Sequence, residues 1–333
     1  MMKKIKLTDV AKLAGVSVAT VSRVINHNGY ASPEAKKSVL EAIQSTGYEV
    51  SDAVPAMPEK KLVGVILKKL PVNMLFYTIN YSLQNEAAKK GMQTLPVFCE
   101  HVTNEVLREQ VRSLMQFHIC GMIISGFEEN ELEEETRNLL EEADIPVVFV
   151  ERLGNSHGFN QICINNTMGG YLSAKYLISK GHRRILFVGR TSMDSDFGGS
   201  RLEGFKKAVE ETPNPPEYYV KLCASPEPDE AWQALQEASR EFPHFTAVQL
   251  WYDGFTIGAL RWLYEQKLRV PNDVEVVGYD DTYSSISAPP VHTVQLPIAE
   301  MAHDAVSIIR EWQDDTTEHF VRIVNLEPKL VLR

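Results

Sequence analysis

Residues 16–26 read Val16-Ser17-Val18-Ala19-Thr20-Val21-Ser22-Arg23-Val24-Ile25-Asn26, and the neighbouring segments take their meaning from them. Ser17 suits a helix N-cap, because its hydroxyl accepts one of the orphan N–H groups of the first turn. Val21, Val24 and Ile25 follow at helical spacing and predict one apolar face, leaving Val18, Ala19, Ser22 and Arg23 on the other. Upstream, Asp9-Val10-Ala11-Lys12-Leu13-Ala14-Gly15 predicts a helix stopped by a glycine that permits a left-handed turn. Downstream, Ser32-Pro33-Glu34 combines a cap, a proline at the first helical position and an acid near the positive helix end. That third helix carries Ala35, Val39 and Ile43 on one stripe and stops at Gly47. Three short helices of this kind, the second with a small and polar outer face, suit a reader of the DNA major groove. On spacing alone, a plain three-helix bundle with no nucleic acid partner stays open.

Leu7-Thr8-Asp9-Val10-Ala11, Ala14-Gly15-Val16-Ser17 and Thr20-Val21-Ser22-Arg23-Val24-Ile25-Asn26 resemble the signature of the LacI–GalR family of bacterial transcription regulators. The Val18-Ala19 pair is most similar to galactose-repressor-like members. Lys6 departs from the family's usual capping threonine, so the first helix is expected to start less sharply. The resemblance implies a DNA-contacting set of Thr8, Ser17, Val18, Ala19, Thr20, Ser22, Arg23 and Asn26. In that set Arg23 suits a bidentate contact to guanine, Val18 and Ala19 suit thymine methyls, and Thr20, Ser22 and Asn26 are donors to phosphate or base edges.

The chain has 333 residues, a net charge of −10 and an apolar fraction of 44%, enough for a sizeable core. Its charge is uneven: residues 1–48 hold seven Lys/Arg against three acids, a balance of +4, which leaves −14 on the remainder. A basic head on an acidic body fits one module that touches DNA and another that DNA repels. No apolar run approaches the roughly 18–20 residues of a membrane helix, and no apolar stretch follows the first lysines as in a secretory signal. Cys99, Cys120, Cys163 and Cys223 are far apart, so free thiols in a cytoplasmic protein are expected, not disulfides or a zinc site.

Residues 49–61 predict a linker, since Pro55 and Pro58 discourage a long regular element. Beyond it, apolar runs at Leu62–Leu67, Thr94–Phe98, Gly121–Ile124, Pro146–Val150, Ile185–Val188, Ala247–Trp251 and Val274–Val277 predict strands. Helical periodicity falls between most of them, at about 76–90, 104–117, 129–142, 167–180, 198–211, 229–240 and 253–266. This alternation predicts parallel sheets, and the number of units predicts two Rossmann-like subdomains with a cleft at the strand carboxyl ends. The predicted fold is a small all-α helix-turn-helix head (1–48), a linker (49–61) and an α/β body (62–333). Within the body, an N-subdomain takes about 62–160 and 292–320, and a C-subdomain takes about 161–289 and 321–333. Lys180-Gly181-His182-Arg183-Arg184-Ile185, Arg201-Leu202-Glu203-Gly204-Phe205, Val270-Pro271-Asn272-Asp273 and Val277-Gly278-Tyr279-Asp280-Asp281 extend the family resemblance through this body, which resembles periplasmic sugar-binding proteins. Pro289-Pro290-Val291-His292-Thr293-Val294 matches the point where such chains cross back to the first subdomain.

The sequence lacks GxGxxG, Walker and HExxH motifs, and Leu202 spoils the one near-match to a nucleophile elbow at Gly198-Gly199-Ser200. Neither an enzyme nor a bound cofactor or metal is expected, and the nine histidines lack ligand spacing. Asp280 ends a predicted strand, where a carboxylate either accepts sugar hydroxyl protons or caps the next turn; the residue alone leaves both open. Arg201 offers a planar fork or is an ordinary helix-surface arginine. The resemblance implies effector contacts at both, and by position at Phe76, Ser125, Glu151, Ser195, Phe197 and Tyr252. Tyr252 replaces a frequent Asn and is expected to narrow the pocket or add a stacking surface; Asn165 replaces a common Asp in the hinge region.

The function so implied is sequence-specific DNA binding by a cytoplasmic homodimer on a palindromic operator, as a repressor controlled by a sugar or sugar phosphate. A sugar-sensing protein whose head has lost specific DNA binding is the alternative. In the family, the linker forms a helix on the operator and wedges a leucine into the minor groove. Met57 takes that leucine's place here, and Pro55 and Pro58 predict that the helix is truncated or absent.

Overall fold

The computed structural model describes residues 6–25, 32–46, 48, 61–69, 74–129, 131–151, 158–191, 196–314 and 320–333. The chain divides into two compact units, Met1–Glu59 and Lys60–Arg333. Pro55, Met57 and Pro58, with the expectation of a truncated hinge helix, lie outside the described residues.

The first unit holds α1 (Leu7–Ala14), α2 (Val18–Ile25) and α3 (Pro33–Thr46). Asp9 accepts the Lys6 backbone N–H at 2.8 Å, so α1 has a cap despite lacking a threonine at that position. Gly15 takes φ +68° at its end. Ser17 accepts the Thr20 N–H and Ser32 accepts the Ala35 N–H, as expected of N-caps. Val10, Ala11, Val21, Val24, Val39 and Ala42 form the buried centre of the three helices.

The second unit alternates strand and helix. Its first sheet comprises β1 (Lys61–Lys68), β2 (Met92–Cys99), β3 (Gly121–Ser125), β4 (Val147–Glu151), β5 (Asn160–Ile164) and β11 (Ile323–Leu326), in the order β11-β5-β4-β3-β1-β2. Its second sheet comprises β6 (Arg184–Arg190), β7 (Glu217–Cys223), β8 (Ala247–Leu250), β9 (Glu275–Asp280), β10 (His292–Gln295) and β12 (Lys329–Val331), in the order β12-β10-β9-β8-β6-β7. All pairings are parallel except β10 with β12. The helices are α4 (Leu75–Lys89), α5 (Asn104–Met115), α6 (Glu134–Glu142), α7 (Asn166–Ser179), α8 (Asp196–Glu210), α9 (Pro228–Glu241), α10 (Gly254–Glu265) and α11 (Ile298–Asp314). Among the described residues, no helix is long and apolar enough to cross a membrane.

The division into subdomains differs from the expected one at each boundary. Asn160 pairs with Val148, so β5 belongs to the first sheet and the chain crosses only after Ile164. His292 pairs with Val277, so β10 is still in the second sheet, and the return comes between Gln295 and α11. Met301, Ala302, Ala305 and Ile309 of α11 then pack against Val63, Val65, Ile123 and Val148 of the first sheet. Ile323 pairs with Gln161, placing β11 in the first sheet, and only β12 lies in the second. Ladder hydrogen bonds, not the apolar runs, decide where a strand belongs. Likewise α6 starts at Glu134, not near 129, because Glu129 accepts the Asn104 backbone N–H at the start of α5.

Asn165 and Glu327 sit at two of the crossings, and the Asn165 Nδ2 donates to Glu327 at 2.9 Å. An aspartate at 165 would face a second carboxylate there. The four cysteines are free. Burial pushes the Cys163 thiol up to about 11 and the Cys223 thiol up to about 12.

Two glycines set the distance between α7 and α8. A Cβ on Gly170 would lie 2.0 Å from the Arg201 carbonyl oxygen, and one on Gly204 would lie 1.9 Å from that of Thr167. Both neighbours are backbone and have no rotamer to yield. Gly204→Ala is therefore expected to separate the helices and destabilise the body by roughly 1–3 kcal/mol, the usual range for overpacking. Thermal unfolding measures it, and an unchanged melting temperature would mean that the helices tolerate a wider spacing.

Candidate ligand-binding cleft

In each sheet, chain order reverses beside a central strand, at β1/β3 in the first and at β6/β8 in the second. Crevices at such reversals, outside the carboxyl ends of the strands, are where open α/β sheets bind ligands. Ser125 and Glu151 end β3 and β4; Asp280 ends β9; Arg201 lies in α8, directly after β6.

The second sheet supplies a wall built on a buried arginine–aspartate pair. Arg201 is 5% exposed. Its Nε donates to Asn166 Oδ1 at 2.9 Å, and its Nη1 donates to the Trp251 carbonyl at 2.6 Å. Its guanidinium lies 3.7 Å from the Tyr279 ring centroid, and the Tyr279 hydroxyl also donates to Asn166 Oδ1. The remaining nitrogen, Nη2, lies 3.7 Å from Asp280 Oδ1. Asp280 is 3% exposed, and its Oδ1 accepts no hydrogen bond. Its backbone is left-handed (φ +97°), as is that of Asp281 (+59°), which is costly for residues with a Cβ. Asp253 holds this turn in place. Fully buried, it accepts the backbone N–H groups of Thr282, Tyr283 and Ser284 and the hydroxyls of Ser284 and Thr293.

The first sheet supplies an acidic wall. Ser125 is fully buried and donates to Glu151 Oε2 at 3.1 Å. Glu151 also has positive φ (+79°). It is near enough to Asp280 to disfavour that carboxylate electrostatically. Burial holds the Asp280 carboxyl well above the usual carboxylate range; Arg201 opposes the shift, and Asp253 and Glu151 add to it. Phe76 is buried in the core of the first subdomain, beside Gly126, where a Cβ would come within 3.0 Å of its ring.

Ser125, Glu151, Arg201 and Asp280 thus converge, with Phe76 behind them. Tyr252 does not join them. It is 2% exposed, its hydroxyl donates to the Pro226 carbonyl, and its ring packs edge-on against Phe255 at 4.7 Å. Trp251 and not Tyr252 faces Arg201, at 5.3 Å. Ser195, and the side chain of Phe197 at the start of α8, lie outside the described residues. So do Asn26 and Met57 and the side chains of Ala19, Ser22 and Arg23 in the head. There Thr8 and Ser17 are exposed, Val18 is 42% exposed and Thr20 is half-buried.

The sequence reading missed Asn166, which gathers Arg201 and Tyr279. It also missed three side chains at the carboxyl ends of the second sheet. Arg190 Nε, Trp251 Nε1 and Thr282 Oγ1 are buried without a hydrogen-bond partner, as Asp280 Oδ1 is. Trp251 ends one predicted apolar run and Arg190 stands two residues past another, a signal that was available. Two histidines, by contrast, are satisfied within the fold: His182 and His292 both meet Glu275, which also accepts the Tyr176 hydroxyl.

The model for bacterial regulatory proteins of the lacI family matches residues 6–51, and that for a periplasmic binding protein-like domain matches 174–333. The chain is 28% identical over 331 residues to the HTH-type transcriptional repressor PurR of Vibrio vulnificus, covering 98% of this chain and 97% of the relative. PurR of Haemophilus influenzae is also 28% identical, over 346 residues, with the same coverage of both chains. Among solved structures, the transcriptional regulator CelR in complex with cellobiose superposes with a TM-score of 0.68 at 26% identity, covering 99% of both chains. The lac repressor dimer bound to operator and the anti-inducer ONPF gives 0.68 at 25% identity, covering 99% of this chain and 98% of that one.

Asp280 yields a pH prediction. Its folded pKa lies above the unfolded value of about 3.9, so its contribution to stability is fully present below about pH 4 and is lost as pH rises through the folded value. Without ligand, wild type should therefore lose several degrees of melting temperature relative to Asp280→Asn between pH 5 and pH 8. Melts of both proteins across that range decide it; parallel curves would remove the buried carboxylate from the account.

Proposed function

We infer that this chain, which belongs to the LacI–GalR family of bacterial transcription regulators, is a repressor whose grip on operator DNA is set by a small molecule held between the subdomains of its body. The observation that carries the ligand half of this reading is the buried Arg201–Asp280 pair. Asp280 Oδ1 has no donor, Glu151 and Ser125 stand opposite, and two left-handed residues hold the turn. A stable fold with no ligand to bind would gain nothing from keeping a desolvated, unsatisfied acceptor there.

The effector is a sugar or sugar phosphate. Its hydroxyls donate to Asp280 and Glu151, Ser125 orients Glu151, and Arg201 fixes Asp280 from behind. This assignment is supported by chemistry, since paired carboxylates are natural acceptors for vicinal hydroxyls. Binding across the cleft favours one relation of the two subdomains over the other, and operator affinity follows from that difference.

In the head, Arg23 reads guanine, Val18 and Ala19 meet thymine methyls, and Thr8, Ser17, Thr20, Ser22 and Asn26 position the unit on the backbone. The exposed face around Val18 is in keeping with this. A homodimer on a two-fold operator, working in the cytoplasm, completes the proposal.

Binding to a randomised operator library tests the DNA half. Arg23→Ala should cost roughly 1–3 kcal/mol on the best site and flatten discrimination at one base pair per half-site. An unchanged preference profile would take base readout away from α2.

A further inference from the structure

Four buried polar atoms without partners sit at the carboxyl ends of β6, β8 and β9 and in the turn after β9, and they differ in kind. Arg190 Nε at the end of β6 and Trp251 Nε1 just past β8 are donors; Asp280 Oδ1 at the end of β9 is an acceptor; the Thr282 hydroxyl can be either. Arg190 makes no ion pair or hydrogen bond among the described residues. It extends the strand face that Leu186 and Val188 present to the core containing Tyr252 and Phe255, and its charge reaches the Tyr252 hydroxyl. Val188 is paired with Leu250, so the register continues with Arg190 beside Tyr252, whose ring meets that of Trp251 edge-on at 5.4 Å. Arg201 is not equivalent: Nε and Nη1 already donate to protein acceptors and Nη2 faces Asp280, so its charge is taken.

We propose that the effector carries an oxyanion, a phosphate or a carboxylate, and that Arg190 with the Trp251 indole N–H is its anchor. This rests on the reading of the cleft given above. The effector is then an acidic sugar derivative whose hydroxyls face Asp280 and Glu151 while its acid faces β6. Order across the sheet makes room for both ends. β8 lies between β6 and β9, so their ends stand two strand spacings apart, about 10 Å. A sugar ring bearing an acidic substituent has that reach, and the separation keeps its anion away from the two carboxylates. A neutral sugar would satisfy Asp280 but offer no charge to a guanidinium whose Nε is buried without a partner, and charged hydrogen bonds are the stronger kind.

The test is binding to the full-length protein, by thermal shift and then calorimetry. The probes are a set of hexoses, their 1- and 6-phosphates and their uronates, with inorganic phosphate alone. At least one acidic member should bind about tenfold or more tightly than its neutral parent, and phosphate against uronate identifies the anion. Arg190→Gln should erase that preference, and Arg190→Lys should retain part of it, since it keeps the charge but loses the planar fork. The Lys variant, with ligand-free melts of both, separates lost binding from lost folding. Neutral sugars that bind through Asp280 as tightly as the acidic members, or an acidic preference that survives Arg190→Gln, would overturn the anchor and leave the cleft assignment standing. If no member of the set binds, both are wrong.

Discussion

The guanidinium of Arg201 is the interaction on which the second subdomain's binding face depends. It lies on Tyr279, donates to Asn166 and to the Trp251 carbonyl, and approaches Asp280, so it gathers α7, β8 and β9 around one residue of α8. This arrangement requires α7 and α8 to pack unusually closely, which Gly170 and Gly204 permit. A buried cation of this kind is stable because each nitrogen has a partner; remove one and an uncompensated charge is left in a low dielectric. Arg201 is thus better described as the support of the site than as its reaching hand.

The central strands were legible in the sequence because strands buried on both faces read as continuous apolar runs, as in Leu62–Leu67 and Ile185–Val188. The edges were not. β7 is exposed or half-buried along its length until Cys223 and carries Lys221, and β11 pairs on one side only. β5 begins Asn160-Gln161, and those polar residues look like loop until Asn160 is seen bonding to the Val147 carbonyl and the Arg322 N–H. α11 is the less excusable omission, since Ile298, Met301, Ala302, Ala305, Val306 and Ile309 have plain helical spacing.

The candidate site divides the same way. Asp280 and Arg201 were found from strand ends and resemblance. Tyr252 was misjudged because its hydroxyl is taken up by the Pro226 carbonyl and its ring by Phe255, which leaves the neighbouring Trp251 to face Arg201. Asn166 was invisible for another reason: its role exists only once α7, α8 and β9 meet, and no local pattern encodes that meeting.

The order of strands along the chain also bears on how the body is made. β11 closes the edge of the first sheet beside β5, and β12 closes the edge of the second beside β10, and both come after every other strand in the sequence. Neither sheet is complete until Leu326 and Val331 have left the ribosome. Until then β5 and β10 are themselves the edges of their sheets, and unpaired edges of apolar strands invite pairing with a neighbouring chain. The hydrogen bond between Asn165 and Glu327, at two of the crossings, also waits for these last residues.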